Sequence, residues 1–127
     1  MDQGTQHTLM VTSQEKAGVT FVNMKGSLSA TTADQGNKEM KKIVDGGAKK
    51  IVLNLAEVGY ISSGGIRVIM MTYKLLNGVQ GEMKLSSAKG MVKEALQASG
   101  FDLLSRVYGG NIQLCNTDEE AVAAFKA

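Results

Sequence analysis

The run Lys50-Ile51-Val52-Leu53-Asn54-Leu55 is short, β-branched and almost wholly apolar. Through Glu57-Val58-Gly59-Tyr60-Ile61-Ser62-Ser63-Gly64-Gly65 it feeds into a second run, where Ile66, Ile69, Met70, Tyr73 and Leu76 recur at spacings of three and four. The first pattern is that of a central strand covered on at least one face; the second is that of a helix with one apolar stripe, stopped at Asn77-Gly78. A further alternating run, Glu82-Met83-Lys84-Leu85, follows. A strand that returns to a strand through a helix must lie parallel to it, so this stretch commits the chain to an α/β sheet.

The flanking segments extend the same pattern. Residues 8–14 and 19–24 alternate around the turn-like Glu15-Lys16-Ala17-Gly18 and predict a β-hairpin. Thr32 with Gln35 three residues on has capping-box spacing, and Met40, Ile43 and Val44 then share a helical face that ends near Asp45-Gly46-Gly47. Met91, Val92, Ala95 and Leu96 form another stripe closed by Ser99-Gly100, after which Phe101, Leu103 and Leu104 read as core plugs in a loop. Ile112-Gln113-Leu114 predicts a last strand, and Thr117-Asp118-Glu119-Glu120 opens a short final helix with acidic residues in its first turn. The expected order is β-β-α-β-α-β-α-β-α: a mixed, mostly parallel sheet entered by a hairpin, with about four helices. At 127 residues this is one domain spanning residues 1–127, with residues 1–7 as a flexible tail.

Composition narrows the function. With 43% hydrophobic and 20% charged residues the chain reads as globular rather than disordered. One cysteine, Cys115, and one histidine, His7, offer no metal site and no internal disulfide. No secretory leader is evident and no run approaches the roughly 18 apolar residues of a membrane span, so the expected location is the cytoplasm, without membrane insertion. The net charge of +2 is spread over scattered lysines, Lys41-Lys42 and Lys49-Lys50 being the densest, without the basic and aromatic clustering of a nucleic-acid surface. Neither Asp45-Gly46-Gly47-Ala48-Lys49 nor Tyr108-Gly109-Gly110-Asn111 has the glycine spacing of a nucleotide-binding loop, and no cofactor is expected.

Ser62-Ser63-Gly64-Gly65 is the unusual feature. Two glycines in a helix cost about 1 kcal/mol each relative to alanine when truly interior, so something should offset them. One reading is structural: Ser62 or Ser63 caps the helix and the glycines ease a tight turn or close packing. The other is functional: a bare backbone at a positive helix terminus suits a phosphoryl group, and adding that charge to a small-residue surface would control a partner.

At this point the chain resembles the anti-sigma-factor antagonists, single STAS domains of bacterial partner switching. The resemblance runs from the Gly26-Ser27-Leu28 turn through KKIVLNLAEVGYISSGGIRVIM and GEMKLSSAKGMVKEALQASGFDLL to the closing DEEAVAAF. It implies that Ser63, or alternatively Ser62, is the serine that a kinase-type anti-sigma factor phosphorylates. The unmodified form would bind that kinase and the modified form would not, with a phosphatase to reset the switch. It also implies a partner surface of Gly26, Ser27, Leu28, Ser29, Thr31, Ser62, Ser63, Gly64, Gly65 and Arg67. The chain departs from the family pattern where Ser62 and Ser29 replace aspartates, Gly64 replaces a second small residue, and Arg67 replaces a glycine. Arg67 stands one helical turn beyond Ser63 and could pair with a phosphate or with an acidic partner.

Two alternatives remain beside this non-enzymatic switch. A STAS adaptor in a signalling or transport assembly would keep the fold and drop the phosphorylation. A serine hydrolase would need a positioned base for Ser63, for which only His7 or a lysine such as Lys25 could serve, and the flanking glycines of a nucleophile elbow are absent.

Overall fold

Residues 8–100 and 112–125 are described by the computed structural model of the chain. The expected hairpin is there: β1 (Leu9–Lys16) pairs antiparallel with β2 (Val19–Leu28), in register from Lys16 against Val19 to Leu9 against Gly26. Its turn is narrower than the sequence suggests. Only Ala17 and Gly18 lie between the strands, at φ values of 54° and 83°, the two-residue geometry whose twist matches that of the strands it joins.

β3 (Lys50–Ile61) lies parallel to β2, β4 (Glu82–Ser86) parallel to β3, and β5 (Gln113–Cys115) parallel to β4, so the sheet order is β1-β2-β3-β4-β5. The helices among the described residues are α1 (Ala33–Asp45), α2 (Ser63–Gly78), α3 (Gly90–Ser99) and α4 (Asp118–Ala124). The mixed, mostly parallel α/β architecture expected from the sequence is therefore observed. β3 runs well past its apolar stretch because Val58 and Ile61 still deliver buried side chains and β2 pairs with it as far as Leu28 against Ile61. Two register shifts, at Asn23/Lys25 and Gly26/Ser27, each put one extra residue into β3 and bend that strand toward its end.

Strand alternation separates two cores. Ile51, Leu53 and Leu55 of β3 join Val22, Met24, Met40, Ile69, Leu76, Leu85 and Leu96 in the main core under α1, α2 and α3. Val52 points the other way and meets Val19, Cys115 and Ala121 beneath α4. On α2, Ile69, Tyr73 and Leu76 are buried as the stripe requires, with Ile66 and Met70 partly so. The stripe on α3 is narrower than expected: Val92 and Leu96 are buried, but Met91 is 55% exposed. Phe101, Leu103 and Leu104, like residues 1–7, lie outside the described residues.

The two capping signals part company. Thr117 caps α4, its Oγ1 accepting the Glu120 N–H at 3.1 Å, while Glu120 reaches back to the Asn116 N–H at 3.0 Å. Thr32 occupies the N-cap position of α1 but makes no side-chain cap. Its hydroxyl is held by the preceding turn, and Gln35 Nε2 instead donates to the Leu9 carbonyl at 2.7 Å, tying α1 to the edge strand.

Candidate functional site

The site is built where β2 and β3 end side by side. Ser27 and Leu28 pair with Tyr60 and Ile61, and the Ser62 N–H donates to the Leu28 carbonyl at 3.1 Å, so the two chain exits leave the sheet together. After β2 the chain turns at Ser29 to Thr32, closed by the Thr32 N–H on the Ser29 carbonyl at 3.1 Å. Thr32 Oγ1 accepts the Ser29 N–H at 3.0 Å and donates to the Ser27 carbonyl at 2.8 Å, while the hydroxyls of Ser29 and Thr31 bond each other at 3.0 Å. A hydroxyl spent on the turn cannot also cap α1, so Thr32 marks the start of the helix without capping it.

The mouth of α2 presses on this turn. A Cβ on Gly64 would lie 2.7 Å from the Ala30 backbone, and one on Gly65 would lie 2.6 Å from the Leu28 carbonyl carbon. Both distances are too short for any side chain, so the glycines are required for helix and turn to touch. The structural reading of the pair thus accounts for its cost: the glycines serve the close approach of helix and turn.

Ser62 is the N-cap residue in extended conformation, yet its side chain makes no cap, so the expectation of a serine cap is corrected. With no side-chain cap on them, and with the Ile66 N–H bonded back to the Ser62 carbonyl at 3.0 Å, the first-turn amides lie at the positive end of a 16-residue helix that has no acidic residue in its first turn. Ser63 is exposed and Ser62 only partly so.

Among the proposed contact residues, Thr31, Ser63 and Arg67 are exposed, and Gly26, Ser62 and Gly64 are partly exposed. Four belong beneath the surface rather than on it. Leu28 is a fully enclosed member of the main core, Ser27 and Ser29 are buried by the turn that folds back over them, and Gly65 is closed off by the Leu28 carbonyl. Gly26, at φ 110°, shapes the backbone of the turn. Ala30, inside the Gly26 to Thr32 stretch though not singled out by any local pattern, is exposed beside Gly64, and only the folded contact makes it part of the site.

Nothing described places a base against Ser63. His7 lies outside the described residues, and Lys25 sits on β2 opposite Glu57 of β3. No group of three or more His, Cys, Asp or Glu suited to a metal ion occurs among the described residues.

A second polar cluster lies on the opposite face, under α4. Asp118 Oδ1 accepts from Asn54 Nδ2 at 3.0 Å and from Ser86 Oγ at 2.5 Å, so the first residue of the helix is fastened to β3 and β4. Beside it, burial pushes the Cys115 thiol above its ordinary pKa, with Glu120 adding to the shift and Lys84 opposing it.

The family model described as the STAS domain matches residues 10–121. A Bordetella bronchiseptica protein named as a candidate anti-sigma factor antagonist, BtrV, is 36% identical over 109 residues, covering 86% of this chain and 88% of that one. The crystal structure of an anti-sigma factor antagonist from Mycobacterium paratuberculosis is similar with a TM-score of 0.79 at 20% identity, covering 93% of this chain and 94% of that one. SpoIIAA of Bacillus, solved in its phosphorylated form, has a TM-score of 0.62 at 17% identity, covering 90% of this chain and 97% of that one.

Proposed function

The chain belongs to the STAS domain family, and on that premise we propose that it is an anti-sigma factor antagonist. It works by binding rather than catalysis: its Ser63 surface meets an anti-sigma factor of serine-kinase type, and phosphate on Ser63 releases that partner. The observation that carries this reading is the exposed Ser63 at the mouth of α2, which Gly64 and Gly65 let press against the turn after β2, in a chain 36% identical to a protein named as an anti-sigma factor antagonist.

The physics is consistent at each step. A phosphate there carries about −1.5 to −2 charges and stands at the positive end of the helix, so the fold tolerates it. The same charge, turned toward the partner, repels an acidic or apolar surface. Ser63 is favoured over Ser62, which is half-buried at the N-cap and less open to a kinase. The contact surface centres on Ala30, Thr31, Ser63 and Arg67, framed by Gly26, Ser62 and Gly64. Ser27, Leu28, Ser29 and Gly65 hold it from below. On this reading the protein acts in the cytoplasm; no helix among the described residues is long and apolar enough to cross a membrane.

Peptide mass spectrometry of the protein isolated from its native cells tests the reading, together with binding to purified kinase-type anti-sigma factors of its own genome. One phosphate on Ser63, and binding lost in Ser63→Asp, are the expected results. An unmodified residue 60–67 segment across growth and stress conditions, with binding indifferent to Ser63→Asp, would turn the reading to a constitutive adaptor.

A further inference from the structure

The exposed surface of α2 continues beyond Ser63. Ser63, Arg67, Met71 and Lys74 follow at spacings of four, four and three and are all exposed, forming one stripe opposite the buried Ile69, Tyr73 and Leu76. No residue from Ser63 to Gly78 is acidic, so the formal charges of the helix are Arg67 and Lys74 alone. Between them Met71 keeps 43% of its surface in water. The Arg67 side chain makes no hydrogen bond or ion pair with any other described residue.

We propose that this stripe seats an acidic surface of the partner protein, with a partner carboxylate on Arg67 and an apolar recess around Met71. The inference rests on the reading of Ser63 as the switch and deepens it by giving the partner's chemistry. Charge decides the occupant: Arg67, with no side-chain partner among the described residues and no carboxylate on its helix, complements an acidic surface, whereas two copies of this chain meeting through this face would set like charges against each other. An anionic membrane is also a poor match, since lipid-binding helices generally gather about four to eight basic residues. The regulation follows from spacing. A phosphate on Ser63 lies one turn from Arg67, where an opposite charge four residues away is a natural partner. Modification therefore adds a charge that repels an acidic partner and also withdraws the cation that attracted it.

The test is equilibrium binding to the purified kinase-type anti-sigma factor, with Arg67→Glu, Met71→Asp and, as an off-stripe control, Lys16→Glu, each checked for folding by circular dichroism. Arg67→Glu and Met71→Asp should each weaken binding on the order of tenfold, and binding by the unaltered chain should weaken as salt rises. Lys16→Glu should bind as the unaltered chain does. Equal binding by all variants overturns the inference and leaves the Ser63 reading standing; no binding even by the unaltered chain overturns both. Self-association abolished by Arg67→Glu, or co-sedimentation with phosphatidylglycerol vesicles, in place of protein binding would assign the stripe to another occupant and overturn it. A second measurement needs no partner. Phosphorus NMR titration of protein carrying phosphoserine at position 63 should show the second phosphate pKa about 0.3 unit lower with Arg67 than with Arg67→Gln. No difference would overturn the regulatory half.

Discussion

A methyl group on Gly65 has nowhere to go, because the Leu28 carbonyl already occupies the space. Gly65→Ala should therefore destabilise the protein by about 2–3 kcal/mol in denaturant unfolding, as an overpacked site inside a rigid backbone contact does. Gly78→Ala is the contrast. Its Cβ would enter open space near the end of the same helix, so it should be neutral or stabilising by up to about 1 kcal/mol. Equal effects at both positions would refute the close-approach account. The sequence poses the right question at Ser62-Ser63-Gly64-Gly65 but cannot answer it alone, since the atoms that demand glycine belong to Leu28 and Ala30, far earlier in the chain. Burial of Ser27, Leu28 and Ser29 is hidden for the same reason: a turn's inner and outer sides are set by what folds over it.

Elements were more legible than residues because their signals are local. The apolar periods of three and four at Ile66 to Leu76, the alternation at Glu82 to Leu85 and the Thr117 cap all rest on neighbours in sequence, and all correspond to elements in the structure. The Thr32 signal placed the start of α1 but not its cap, because the hydroxyl is bonded to the backbone of the preceding turn. No pattern announced the fastening of α4 either, as Asp118, Asn54 and Ser86 meet only through the sheet. Asp118→Ala should strand the fully buried Ser86 hydroxyl and cost about 1–3 kcal/mol. Hydrogen exchange should show the loss concentrated in α4 and its strand neighbours, with α1 and α2 retaining their protection. Uniform loosening of the whole domain would show that α4 is not separately fastened.

At the scale of the whole molecule, alkaline pH probes both cores at once. Burial raises the pKa of Tyr73 from its ordinary 10.0, and burial together with Glu120 raises that of Cys115 from 9.0. The folded chain then keeps protons that the unfolded chain gives up. Stability should be full below about pH 9 and fall as pH climbs through the raised values, Cys115 responding first. Unfolding midpoints measured from pH 7 to 11 should show this decline, and Cys115→Ala should delay its onset; a midpoint rising over that range would contradict the sign. The sheet has a different consequence. Its spatial order is the order of the strands along the chain, so on a ribosome each new strand emerges to find its neighbour already made. No strand waits for a later one. Both halves of the proposed contact surface, the turn after β2 and the mouth of α2, emerge from the tunnel before β4, β5 and α4 do, and these late arrivals finish a sheet whose end at that surface is already made.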